Sequence, residues 1–215
     1  MSKTFWIVVA AVVIALVGLF VVTNEPSEPR ESVDEPLEIT DEDHAIGDDN
    51  AQIELVTYSD FQCPSCAAAD PIVKDLIDEY GDDIQFIYRH FHVVQPQTTS
   101  HLASRAAVAA ENQDAFWEMH DLLFERQDQW AQNADAPNII NDYAEELGLD
   151  MEQFEADIED ADTENRVERD LDISQQLGLF STPTFFLNGE QVEQPFNELP
   201  QLVANELDAT EDEQE

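Results

Sequence analysis

Cys63 and Cys66 are the only two cysteines in this 215-residue sequence, separated by Pro64 and Ser65 alone. Paired thiols at this spacing can exchange disulfides, supply half of a zinc site, or staple the chain. A staple across so short a loop removes little entropy from the unfolded state, so stapling is a poor use of the pair. Zinc would need two further ligands. His90 and His92 offer imidazoles, and nothing in the spacing excludes a site of two thiolates and two histidines. Exchange needs one sulfur ionised near neutral pH and a second within its reach.

The flanking residues supply the means of ionising it. Residues 53–58, Ile-Glu-Leu-Val-Thr-Tyr, are β-branched and aromatic enough to form a strand that ends just before the cysteines. Ala67, Ala68 and Ala69 follow, then Ile72, Val73, Leu76 and Ile77 at helical spacing. Cys63 therefore stands where a strand becomes a helix, facing the unpaired N–H groups and positive dipole end of the first turn. Pro64 suits the first helical position. These features predict a Cys63 pKa lowered from about 8.5 into the range of roughly 3.5–7.5. Cys63 is the expected attacking sulfur, and Cys66, one turn further in, the resolving one.

The elements that must position this pair follow in order. After Gly81, residues 84–91 read as a second strand, and the spacing fits a β-α-β crossover with parallel strands. His90 and His92 fall on one side of it, where packing or surface roles are the default. Residues 99–178 carry helical signals over 102–110, 115–126, 137–148 and 151–177, the last broken near Ala161. Asp114 and Pro137 look like helix starts. Phe116, Trp117, Met119, His120 and Leu123 read as the core of this helical segment. Residues 184–187 and 190–192, joined by Asn188-Gly189, form a hairpin signal. Thr182-Pro183 stands before it, and a proline opening a central strand is anomalous unless its peptide bond or missing donor is used. Asp60, nearest acid to the cysteines, reads as a solvated turn residue, and residues 197–207 as a closing helix.

Composition sets the surroundings. Residues 5–22 are apolar without charge or proline and reach about 27 Å, close to the roughly 30 Å hydrocarbon core. Residues 1–22 are thus expected to be an uncleaved single-pass anchor, since no Ala-x-Ala-like site follows. Lys3 before the span and Glu25, Glu28 and Glu31 beyond it place the N-terminus in the cytoplasm and the rest outside. Residues 23–44 read as a disordered acidic linker and 208–215 as an acidic tail, leaving 45–207 as one domain. The chain carries 49 acidic against 8 basic residues, a formal charge of −41, yet 43% of it is apolar. An intact core under an acidic surface fits a halophile's adaptation to high salt, with a basic partner as the other reading. Nucleic acid is disfavoured as a partner, because phosphates need a basic face.

Taken together, residues 59–66 (Ser-Asp-Phe-Gln-Cys-Pro-Ser-Cys), 88–91 (Tyr-Arg-His-Phe), 116–123 (Phe-Trp-Glu-Met-His-Asp-Leu-Leu) and 182–189 (Thr-Pro-Thr-Phe-Phe-Leu-Asn-Gly) resemble the DsbA-like thiol-disulfide oxidoreductases. The resemblance implies an α/β thioredoxin-like fold with a helical subdomain inserted at about 99–178. It implies a catalytic Cys63-Pro64-Ser65-Cys66 and a cis Thr182–Pro183 peptide that faces the cysteines and pairs with substrate. Thr57 departs from the family, which often carries a buried acid six residues before the first cysteine. The expected function is a membrane-anchored, extracytoplasmic protein-disulfide oxidoreductase that introduces disulfides into exported proteins through Cys63. No cofactor or metal is expected beyond the redox-active disulfide Cys63–Cys66. Expected partners are cysteine-containing exported proteins and a membrane or soluble redox partner. The alternatives are a reductase or isomerase on the same site, or a non-catalytic zinc-holding or binding module.

Overall fold

Two parallel strands carry the site, and their sequences explain why they are central. The computed structural model describes residues 38–40, 42–92 and 99–214. The expected anchor and most of the linker lie outside the described residues, and among the described residues no helix is long and apolar enough to cross a membrane. Strands β2 (Ile53–Ser59) and β3 (Ile84–His90) are buried at nearly every position, so both faces are covered, as their near-continuous apolar runs require. They pair in parallel, with Thr57 opposite Tyr88, Tyr58 opposite Arg89 and Ser59 opposite His90. Helix α1 (Pro64–Tyr80) makes the crossover. The sheet is completed by β1 (His44–Gly47), β4 (Thr184–Leu187) and β5 (Glu190–Gln191), all antiparallel to their neighbours, in the order β1-β3-β2-β4-β5.

Strand β1 (His44–Gly47) has no sequence signal of its own, being four residues long with two of them exposed. It pairs antiparallel to β3, and tertiary contacts hold it there. The fully buried Arg89 donates from Nε and Nη2 to the two carboxylate oxygens of Asp43 at 2.7 and 3.0 Å, from Nη1 to Tyr58 Oη at 2.8 Å, and from Nη2 to the Glu38 carbonyl at 2.8 Å. Asp43 and His44, which composition assigns to the linker, are thus tied into the fold. Gly47 adopts φ +107°, and a Cβ there would come within 2.1 Å of the Ile84 carbonyl oxygen. Only glycine fits this approach.

Between β3 and β4 lie α2 (Thr99–Glu111), α3 (Phe116–Glu125), a single turn α4 (Gln127–Trp130), α5 (Ala136–Leu147), α6 (Met151–Ile158) and α7 (Ala161–Gln176). Phe116, Met119, His120 and Leu123 are buried as expected, and Trp117 packs at the edge of the core. Asp114 does not cap α3. It sits at φ +59°, a left-handed position that a short polar side chain tolerates, and Ala115 takes the N-cap without a side-chain bond. Asp150 and Asp160 do cap, accepting from the Gln153 and Asp162 N–H groups, and divide the 151–177 signal into two helices. The last helix, α8 (Leu199–Gln214), continues through the expected tail. Thr210 donates its hydroxyl to the Leu207 carbonyl and lies 3.0 Å from Gln52 Oε1.

Candidate active site

The strand-to-helix junction delivers Cys63 as the N-cap of α1, in extended conformation (φ −79°, ψ 122°), with Pro64 in the first turn. Pro64 and Ser65 are exposed, Cys63 is half-buried and Cys66 is 2% exposed. Both sulfurs are free thiols in this structure. The Cys63 thiol is pulled down to about 5: a hydrogen bond from Cys66 favours its anion most, burial opposes it, and Thr182 with the N–H groups of Cys66 and Ser65 assists. Cys66 moves the other way. Burial, and then the neighbouring Cys63 sulfur, push its thiol far above the ordinary range. The pair therefore shares one negative charge, carried by Cys63.

Thr182 and Pro183 arrive on the other side. Their peptide bond is cis, and the Thr182 carbonyl lies 3.6 Å from Cys63 Sγ. The loop thus comes next to the half-buried sulfur, and Pro183 also lines a small cavity with Cys66. Phe180, two residues earlier, is 85% exposed.

Two supports have no sequence signal. Gln127, in the single turn α4, donates through Nε2 to the Phe61 and Cys63 carbonyls at 2.7 and 3.0 Å, so the helical segment grips the loop that presents the sulfur. Gln62 reaches back to the Ala131 carbonyl. Asp60 corrects the sequence reading. It is 7% exposed rather than solvated, its carboxylate accepting from the Gln62 N–H at 2.8 Å and from the Ser100 hydroxyl. Burial holds its carboxyl above the usual range, and its own N–H points to Cys66 Sγ at 3.5 Å.

The histidines do not join the sulfurs. Among the described residues the only metal-ligating side chains that converge as a group of three or more are Asp70, His120 and Asp121. There the Lys74 ammonium, 3.2 Å from Asp70 and 2.9 Å from Asp121, supplies the positive charge. His90 is fully buried in an aromatic cluster, and burial keeps it neutral, its pKa well below 6.5. Burial likewise brings His92 down to about 4. Among the described residues, no ligand cluster supports the two-cysteine, two-histidine zinc alternative.

A family model described as thioredoxin matches residues 39–204, which include both cysteines, the cis proline and the helices between. The chain belongs to the thioredoxin family. Oxidised BdbD from Bacillus subtilis is similar to this thioredoxin-family chain at 26% identity and a TM-score of 0.65, over 78% of this chain and 94% of that one. α-DsbA1 from Wolbachia pipientis shares the fold at a TM-score of 0.73 and 18% identity, covering 83% and 98%. A curated relative, the Na(+)/H(+) antiporter NhaA 3 of Salinispora tropica, is 36% identical over 157 residues, 73% of this chain but 23% of that protein. The thioredoxin-family chain spans about a quarter of the length of the curated relatives it matches.

Proposed function

We propose that this thiol-disulfide oxidoreductase works as an oxidase, its Cys63–Cys66 disulfide being passed to exported proteins outside the cytoplasmic membrane. The observation that carries the reading is the division between the sulfurs: Cys63 is held as a thiolate beside Thr182, and Cys66 is kept as a thiol behind it. A substrate thiolate attacks Cys63 Sγ, the S–S bond breaks, and Cys66 leaves. A second substrate thiolate then attacks the substrate's own sulfur in the mixed disulfide and releases Cys63. A leaving thiolate of low pKa departs faster and stabilises the reduced enzyme, and both favour donation of the disulfide. The half-buried Thr182 offers backbone to an extended substrate, with the exposed Phe180 as an adjacent apolar contact.

The apolar run at residues 5–22 supports a membrane tether, and the excess of acids after it supports a domain outside. A formal charge of −41 supports work at high salt, where exposed charges are screened beyond about 3 Å. Losing the cooperative melt on dilution to about 0.1 M salt is the expected result, and a melt indifferent to salt would contradict it. The direction is tested by mixing oxidised full-length chain with a reduced, unfolded polypeptide bearing two thiols. Transfer of the disulfide to that polypeptide is expected, with a potential nearer the oxidising end of about −120 mV than the thioredoxin value of about −270 mV. A potential at the reducing end would make the chain a reductase.

A further inference from the structure

His92 lies two residues beyond the end of β3 and is 6% exposed, yet among the described residues neither of its ring nitrogens has a hydrogen-bond partner. A buried imidazole in that state needs a reason, because buried polar side chains are nearly always paired. Its neighbour is His101 in the first turn of α2, 5% exposed, the two ring centroids being 5.1 Å apart and the planes 63° from parallel. His101 in turn places Nε2 3.2 Å from Glu164 Oε1 of α7.

These spacings are those of ligands on one small ion. Imidazole nitrogens and carboxylate oxygens bind zinc at about 2.0–2.2 Å, so two ligand atoms on a tetrahedral ion lie about 3.3 Å apart and two imidazole centroids about 5 Å apart. The observed 3.2 and 5.1 Å fit both edges. The three side chains do not yet converge as the Asp70 group does, so loading turns the His92 ring or the Glu164 side chain. Glu164 has that freedom: its side chain is 32% exposed, and its other oxygen keeps Arg105 Nε at 3.4 Å. A cavity of about 700 Å³, lined among others by His101, Arg105, Glu164 and Glu168, leads from solvent to this point.

Two other histidine groups compare poorly. His90 meets His44 at 5.2 Å, but His44 is stacked on Phe116 at 3.8 Å and its carboxylate partner Glu111 is shared with Arg166. The Asp70 group already holds the Lys74 ammonium.

We propose that His92, His101 and Glu164 form a binding site for a divalent transition metal of the zinc class, its fourth position open to the cavity. Two imidazoles and one carboxylate suit Zn²⁺, and also Cu²⁺ or Ni²⁺, and offer too few oxygens for Ca²⁺. The ion joins the end of β3 to α2 and α7. Ser100, next to His101, carries the tie on to Asp60 through its hydroxyl. The site uses neither cysteine and is independent of the direction of exchange.

The test takes the full chain in its oxidised form, in molar salt with excess Mg²⁺, so that neither free thiols nor scattered surface acids capture the metal. Zn²⁺ is titrated by calorimetry, and melting is followed with and without it. One Zn²⁺ per chain is expected, with a raised melting temperature. His92→Ala, His101→Ala and Glu164→Gln should each weaken binding about tenfold or more. Glu164 is partly exposed, so its variant decides the matter if a histidine variant fails to fold. Asp121→Asn, in the Asp70 group, should change the affinity less than about twofold. No stoichiometric site in wild type, or an affinity unchanged in the Glu164 variant, would overturn the proposal. An equal loss in Asp121→Asn would overturn it too, by placing the ion at the Asp70 group.

Discussion

Strands β2 and β3 carry two buried polar centres on opposite faces, and the two are finished differently. Because side chains alternate across a strand, Tyr58 and Arg89 face one side while their neighbours Thr57 and Tyr88 face the other. On the first side Arg89 is matched by Asp43, Tyr58 and Glu38. On the second, beside Cys66, two hydroxyls lack protein partners. A buried charge cannot be left unpaired without a cost of several kcal/mol, so the Arg89 side is completed by drawing in a strand. The Cys66 side keeps a cavity of about 20 Å³, room for a water. The contrast separates a centre that holds the fold from one that lies beside the sulfurs.

The largest expected effect belongs to the satisfied side. Asp43→Ala removes the ion-pair carboxylate from a buried guanidinium and should lower unfolding free energy by about 3–5 kcal/mol in denaturant titrations, while leaving the Cys63 titration where it was. A loss below about 1 kcal/mol would show that the two centres are not so different. Gln127→Ala comes next. It removes two hydrogen bonds to the Cys63 loop and should cost about 1–3 kcal/mol, with slower exchange in the folded protein. Unaltered exchange kinetics would mean that the grip on the loop is structural only. Tyr88→Phe should be smallest, within about 1 kcal/mol of wild type, because no protein partner is lost. A larger loss would reveal a partner for that hydroxyl and weaken the contrast.

Trapping sharpens the same comparison at the sulfurs themselves. Cys66→Ser should accumulate mixed disulfides on Cys63 with added thiol substrates, and Cys63→Ser should accumulate none, as resolved on non-reducing gels. Equal trapping by both variants would remove the distinction between an accessible thiolate and a shielded thiol.

Local chemistry made the cysteine junction and the closing hairpin readable in advance. The β-branched strand, Pro64 and the apolar helical spacing fix where Cys63 sits, and Asn188-Gly189 marks the closing hairpin. The unreadable parts are those settled by distant residues. Strand β1 exists because Arg89 needs a carboxylate, Asp60 is buried because Ser100 of α2 covers it, and Gln127 touches Cys63 across 64 positions. Asp114 resembles a cap in sequence, but the chain reverses there in a left-handed turn. The acidic residues after Asp208 read as a tail, yet α8 continues through them.

The most direct measurement is the pH dependence of the Cys63 thiolate by ultraviolet absorbance, paired with the stability of reduced against oxidised chain. A thiol whose folded pKa is depressed stabilises the reduced form fully above its unfolded value, and loses that contribution as pH falls through the folded value. With Cys63 held near 5, the thiolate signal should collapse around pH 5. The reduced chain's stability advantage should shrink from about pH 9 down to that point, and the oxidised chain should show no such slope. A thiolate midpoint near the ordinary 8.5, with reduced and oxidised chains parallel in pH, would contradict the account.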